Sequence, residues 1–96
     1  MATRIQSVNF DATERLQNFI HKKVAKLEHI SDNIESIDVH LKVVKPETAE
    51  NKEASITLLV PNSRFFASKV CDTFEEAVDL CIDALEKQIK KSKEKR

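Results

Sequence analysis

SIDVHLKVV, residues 36–44, alternates apolar and polar side chains. Ile37, Val39, Leu41 and Val43 fall on one face of an extended chain, and Asp38, His40 and Lys42 on the other. Successive side chains of a strand point to opposite faces, so the pattern predicts a strand with one dry and one wet side. A sheet of such strands needs a cover on its dry side only. Two segments of helical period supply one. Leu16, Phe19, Ile20, Val24, Leu27 and Ile30 make one apolar stripe, and Phe74, Ala77, Val78, Cys81, Ile82, Leu85 and Ile89 make another.

Working outward, residues 3–8 (TRIQSV) predict a first strand, and Asp11 with Glu14 resembles a capping box that opens the first helix. The outer face of that helix carries Arg15, Asn18, His21, Lys22 and Lys26, with Lys23 at the boundary. Ser31-Asp32-Asn33 is turn chemistry, and Lys45 to Lys52 reads as a polar hairpin loop. Residues 53–60 predict a third strand with Ala54, Ile56, Leu58 and Val60 on one face. Pro61-Asn62-Ser63 turns the chain into a fourth strand over residues 64–70. Thr73 and Glu76 form a second capping box. The order β-α-β-β-β-α predicts an α+β fold, a two-layer sandwich in which a four-stranded sheet carries both helices on one face. The first strand-helix-strand unit predicts a parallel pair with a right-handed crossover, and the last three strands an antiparallel meander. The predicted core is Ile5, Leu16, Phe19, Ile20, Leu27, Val39, Leu41, Ile56, Leu58, Phe74, Val78, Cys81, Ile82 and Leu85.

Ninety-six residues predict one domain, 1–96, with a basic tail at about 92–96. No apolar run approaches the ~20 residues that span a bilayer, and MATRIQSVNFDATE lacks the apolar stretch of a signal peptide. A cytoplasmic protein that makes no membrane contact is expected. Cys71 and Cys81 are ten residues apart, neither a redox pair nor a zinc pair, and Cys81 falls on a core stripe. Glycine is absent, which excludes phosphate-binding loops of the P-loop and dinucleotide types. His21 and His29 are too far apart on a helix for a metal pair, and no nucleophile elbow exists. The expectation is no enzyme, no catalytic residue, no metal, no cofactor and no small-molecule substrate.

The charges carry more information. Sixteen basic residues balance sixteen acids, but they are not mixed evenly. From Lys87 onward come Lys87, Lys90, Lys91, Lys93, Lys95 and Arg96 against Glu94 alone, whereas residues 28–53 hold seven acids and three lysines. Asp83 and Glu86 precede Lys87 and Lys90 by four residues, the spacing of helix-surface ion pairs. With both helices on one sheet face, Lys22, Lys23 and Lys26 of the first and Lys87, Lys90 and Lys91 of the second can form one positive strip for a polyanion. Charge alone leaves a second reading open, two independent solvated helix faces. Exposed aromatics are scarce, which argues against a single-strand reader and for structured RNA contacted through its backbone.

The segments Lys23 to Glu28 (KVAKLE), Asp38 to Val43 (DVHLKV) and Phe74 to Lys91 (FEEAVDLCIDALEKQIKK) resemble the bacterial ribosome hibernation promoting factors, also called ribosome-associated inhibitors or sigma-54 modulation proteins. The resemblance covers essentially the whole chain. Its most specific part is the pattern Ala77, Asp79, Ile82, Asp83, Leu85, Gln88 and Lys91. The resemblance implies a factor that binds the small ribosomal subunit in the mRNA and tRNA channel, occludes the A and P sites and keeps idle ribosomes inactive in starvation or stationary phase. It implies rRNA contacts at Lys23 and Lys26 on the first helix and at Lys87, Lys91 and Lys93 on the second; Lys22 and Lys90 are added from helix geometry. Three departures stand out. The turn before the fourth strand is Pro61-Asn62-Ser63 where the family often has Gly, Phe74 is an aromatic without a hydroxyl, and the extra C-terminal dimerisation domain of the long form is not expected. The expected protein is a short form, monomeric off the ribosome. The competing class is a non-ribosomal module that binds structured RNA or another protein, since the α-β-β-β-α portion also resembles double-stranded RNA-binding domains.

Overall fold

The computed structural model describes residues 2–8, 12–30, 34–44, 51–61 and 63–94, without the side chains of Ala2, Lys93 and Glu94. The chain runs β1 (Ala2–Val8), α1 (Glu14–Ile30), β2 (Ser36–Val43), β3 (Lys52–Val60), β4 (Ser63–Cys71) and α2 (Phe74–Glu94). Across the sheet the order is β1-β2-β3-β4. β1 lies parallel to β2, and β2, β3 and β4 are antiparallel neighbours. This is the predicted α+β architecture with both helices on one face.

Register explains why one face is dry. Ile5 stands opposite Val39, Val39 opposite Ile56, and Ile56 opposite Ala67, so a single apolar row crosses all four strands. A second row runs through Ile37, Leu58 and Phe65. The residues these rows place on β2 and β3 are fully buried. The two outer strands are less covered, so Ile5 and Phe65 are only half-buried. Phe19 and Ile30, expected on the buried stripe of α1, are also half-buried. Phe19 lies beneath a lysine, and Ile30 is the last residue of its helix. The remaining predicted core residues are buried, joined by Val24, Ala77 and Ile89.

Hydroxyl caps begin both helices. At α2 the Glu76 N–H donates to Thr73 Oγ1 at 3.1 Å, one half of the expected box. At α1 the cap is Thr13 rather than Asp11, because the Leu16 N–H donates to Thr13 Oγ1 at 3.1 Å. A cap must immediately precede the first helical residue to reach the free amide of the first turn, and here that residue is Glu14. Asp11 itself, the turn at Ser31-Asp32-Asn33, most of the Lys45 to Lys52 loop and Asn62 lie outside the described residues. Lys52, expected in that loop, begins β3, and β4 extends one residue past its expected bounds at each end. The basic tail continues α2 as far as Glu94.

Side-chain bonds fix how α2 lies on the sheet. The Cys81 thiol donates to the Ala54 carbonyl at 3.3 Å, and Gln88 Nε2 donates to the Phe66 carbonyl of the outer strand at 2.8 Å. Because Ala54 pairs with Lys69, these two bonds show α2 running back along β4. Burial pushes the Cys81 thiol from its ordinary 9.0 up to about 11; the nearby Lys69 charge lowers it only in part.

Two outcomes follow. Leu85 is completely buried, so Leu85→Ala is expected to lower the unfolding free energy by about 2–5 kcal/mol in urea titration. The Cys81 pKa is raised on folding, so its contribution to stability is intact below pH 9 and is lost as pH rises to about 11, when the unfolded chain ionises first. The drop should be about 2–3 kcal/mol over that window. In Cys81→Ala the curve of stability against pH should be flatter by that amount.

Candidate nucleic-acid interface

The outer faces of α1 and α2 carry Lys22, Lys26, Lys87, Lys90 and Lys91, with Lys23 at the junction of the two helices. Lys22 and Lys26 are exposed on α1, one turn apart, and neither makes an ion pair among the described residues. With Phe19 and Lys23 they line a depression of about 390 Å³. The apolar ring gives this basic hollow a dry wall.

Lys23 differs from its neighbours. Its ammonium lies 3.0 Å from an Asp79 carboxylate oxygen on α2 and 5.4 Å from the centroid of the Phe19 ring. Its side chain retains only 30% of its exposure. The charge is therefore held between a carboxylate and an aromatic face, and it ties the two helices together. Nothing in the spacing of the sequence paired Lys23 with Asp79, since they belong to different helices.

On α2, Lys87 lies 3.5 Å from Asp83 and Lys90 lies 3.3 Å from Glu86, the predicted pairs four residues apart. Both lysines remain largely exposed, so the carboxylates hold them loosely. Lys91 has no ion pair among the described residues and lines a second depression with Phe65, Gln88 and Ser92. The side chain of Lys93 lies outside the described residues.

The two groups of lysines do not sit side by side. β1, β2 and β4 run the same way, and each helix returns across the sheet, so α1 and α2 share one direction. The Lys23–Asp79 bond sets their relative height. At 1.5 Å per residue, Lys87 lies about 12 Å beyond Asp79 along the axis and Lys91 about 18 Å. The basic surface is thus a diagonal, with Asp79, Asp83 and Glu86 between its ends. Among the described residues no group of three His, Cys, Asp or Glu side chains is placed to hold a metal ion, and no helix is long and apolar enough to cross a membrane.

Residues 3–96 match the family of the sigma 54 modulation protein and the S30EA ribosomal protein. The chain belongs to this family. A ribosome hibernation promoting factor of Escherichia coli K12 is 35% identical over 95 residues, covering 99% of this chain and 96% of that protein. One from Pseudomonas putida is 28% identical over 96 residues, covering 100% and 90%. Among solved structures, a ribosomal subunit interface protein from Coxiella burnetii superposes with a TM-score of 0.86 at 24% identity, over 97% of this chain and 98% of that one. The N-terminal domain of Thermus thermophilus Protein Y gives 0.79 at 22%, over 92% and 93%. These last two likenesses establish the shared fold.

The bridge between the helices is half-exposed, so it is expected to stabilise the protein only modestly. Asp79→Asn should change the unfolding free energy by less than about 1 kcal/mol. In a double-mutant cycle with Lys23→Gln, the coupling should shrink further in high salt.

Proposed function

We propose that this protein is a ribosome hibernation factor. It binds the small ribosomal subunit in the channel used by mRNA and tRNA and blocks the A and P sites during starvation or stationary phase. It works by occupancy, with no turnover and no cofactor, as a cytoplasmic protein that is monomeric off the ribosome. The observation that carries this reading is the full-length likeness to the Escherichia coli ribosome hibernation promoting factor, within the family to which the chain belongs.

The helix surface gives the reading a physical basis. Lys22, Lys26 and Lys91 offer charges that no carboxylate holds among the described residues, on rigid helices and spaced along a diagonal. Structured RNA presents phosphates at fixed spacing, and such a row of ammonium groups meets them without needing exposed aromatics. Lys87 and Lys90 extend the row toward the end of α2, and Lys93 is assigned to the same RNA contact from the family resemblance. Lys23 contributes less, because a phosphate has to displace Asp79 to use it.

Co-sedimentation with purified small subunits over a range of salt tests the proposal. Binding should weaken steeply with salt, since every neutralised phosphate adds roughly one unit to the slope of log affinity against log salt. Lys22→Gln with Lys26→Gln should lower affinity at least tenfold and reduce that slope by about two. Lys23→Gln alone should cost less than either. The double variant should keep the wild-type unfolding curve, because Lys22 and Lys26 lie outside the apolar stripe, whereas Lys23→Gln should shift it by less than about 1 kcal/mol through loss of the Asp79 bridge. Lysines that act only as a solvated face would leave binding unchanged. Inhibition of translation that persists after the factor is washed away would contradict occupancy.

A further inference from the structure

The face of the sheet opposite the helices is not featureless. Of the five exposed large hydrophobic side chains among the described residues, four lie there: Val8, Leu59, Phe66 and Val70. Phe66 is the most exposed, at 55%. Its neighbour Phe65 is the one turned toward the helices. Adjacent residues of a strand cannot share a face, so the pair Phe65-Phe66 forces one aromatic ring outward.

Phe66 forms one wall of a shallow depression of about 290 Å³ that also involves His40, Lys42, Glu53, Ser55 and Thr57. Thr57 stands directly opposite Phe66. Ser55 and Ser68, opposite each other one row away, share a hydrogen bond of 3.1 Å between their hydroxyls. The next residues along that row are His40 and Gln6. The open face thus has an aromatic plate beside a row of donors and acceptors.

The charges there are arranged unevenly. Asp38 stands opposite Arg4 and Glu53 opposite Lys42, so each carboxylate has a cation in register. The carboxylate residues are half-buried, whereas Arg4 and Lys42 are exposed. Arg64 is exposed two residues before Phe66 on the same face, and it stands opposite Leu59 rather than an acid. Among the described residues of this face, Arg64 is thus the cation with no carboxylate opposite it in register, and it lies beside the exposed ring.

This pattern fits a nucleotide better than a protein partner. The polar row Gln6, His40, Ser55 and Ser68 separates Phe66 and Leu59 from Val8 and Val70. A protein covering the face has to bury that row within its dry centre. A stacked base needs only one ring face, hydrogen-bonding groups for its edge and a cation for its phosphate. We propose that the open sheet face is a second nucleic-acid site, separate from the helix lysines, which takes one unpaired nucleobase on the Phe66 ring, with its edge toward Thr57, Ser55 and His40 and its phosphate on Arg64. Phe66 is the one exposed phenylalanine ring among the described residues, so the site offers a stack for one base. Its affinity is that of a single stack, an addition to binding through the helices rather than a substitute for it.

Titration of the nitrogen-15-labelled protein with hexauridylate and hexaadenylate, followed by NMR, tests this directly and involves no ribosome. Its outcome is therefore separate from that of the ribosome proposal. Amide shifts are expected at Arg64, Phe66, Thr57 and Ser55, and they should persist in the Lys22→Gln, Lys26→Gln protein. Phe66→Leu keeps apolar bulk and removes the ring, so it should weaken these shifts at least about fivefold, the lower end for loss of one base stack. Shifts confined to α1 and α2, or equal binding by Phe66→Leu, would overturn the proposal. So would a photo-crosslinking amino acid at position 66 that captures a protein partner in lysate in a product insensitive to ribonuclease. Crosslinks that ribonuclease trims support it.

Discussion

Everything in this molecule follows from a sheet that can bury only one of its faces. Ile37, Val39 and Leu41 on β2 and Ala54, Ile56 and Leu58 on β3 are entirely removed from water, and the polar residues between them are not. Two amphipathic helices complete that core, and neither can move to the other side without exposing its stripe. The outer surfaces of both helices are thereby committed to one side of the molecule. The open sheet is committed to the other, so two surfaces of different chemistry lie back to back. No glycine contributes to this plan. Hydroxyl caps at Thr13 and Thr73 start the helices, and β3 gives way to β4 between the paired residues Val60 and Ser63.

The placement of the second helix is specified by polar bonds as much as by its apolar stripe. Burial alone fixes the rotation of α2 but leaves sliding along the sheet weakly determined. Cys81 on the Ala54 carbonyl, Gln88 on the Phe66 carbonyl and Asp79 on Lys23 each fix an axial position. Asp79 and Gln88 belong to the pattern by which the last helix resembles its family, and the structure gives both a mechanical role. The same bonds set the diagonal of the lysines. A slide of one turn is about 5.4 Å, comparable with the spacing between neighbouring phosphates, so the register of α2 matters to any surface that reads a polyanion.

The fold was legible because its signals were periodic and agreed with one another. Alternation at 36–43, two helical stripes and a threonine cap at residue 73 each pointed to the same layer order. The one misplaced cap came from competition between neighbours. Asp11 and Thr13 are both good caps, and the choice depends on where helical geometry begins, which local pattern does not determine. The site was legible only as a set of residue types. Sequence spacing revealed Lys87 with Asp83 and Lys90 with Glu86 because both partners lie on one helix. It could not reveal Lys23 with Asp79, 56 positions apart, nor the axial offset that follows from that contact. Phe66 was hidden by its residue type. Two adjacent phenylalanines both look like core, yet a strand must send them to opposite sides.

Formal neutrality and a polyanionic partner are compatible for the same reason. Lysines paired with carboxylates on their own surface are poor competitors for isolated phosphates, because binding one requires breaking an existing attraction. Among the described residues Lys22, Lys26 and Lys91 are free of that constraint, but they are few and separated by acids. Such a surface gains little from a featureless polyanion, whose phosphates meet Asp79, Asp83 and Glu86 as often as they meet the free lysines. It gains most from an RNA whose phosphates are already held at the spacing of those lysines and absent elsewhere. A uniformly basic protein of this size binds nucleic acid broadly. For the ribosome-directed role proposed above, the interleaved acids reduce total attraction while increasing the difference between the right RNA surface and any other, which is how discrimination is obtained.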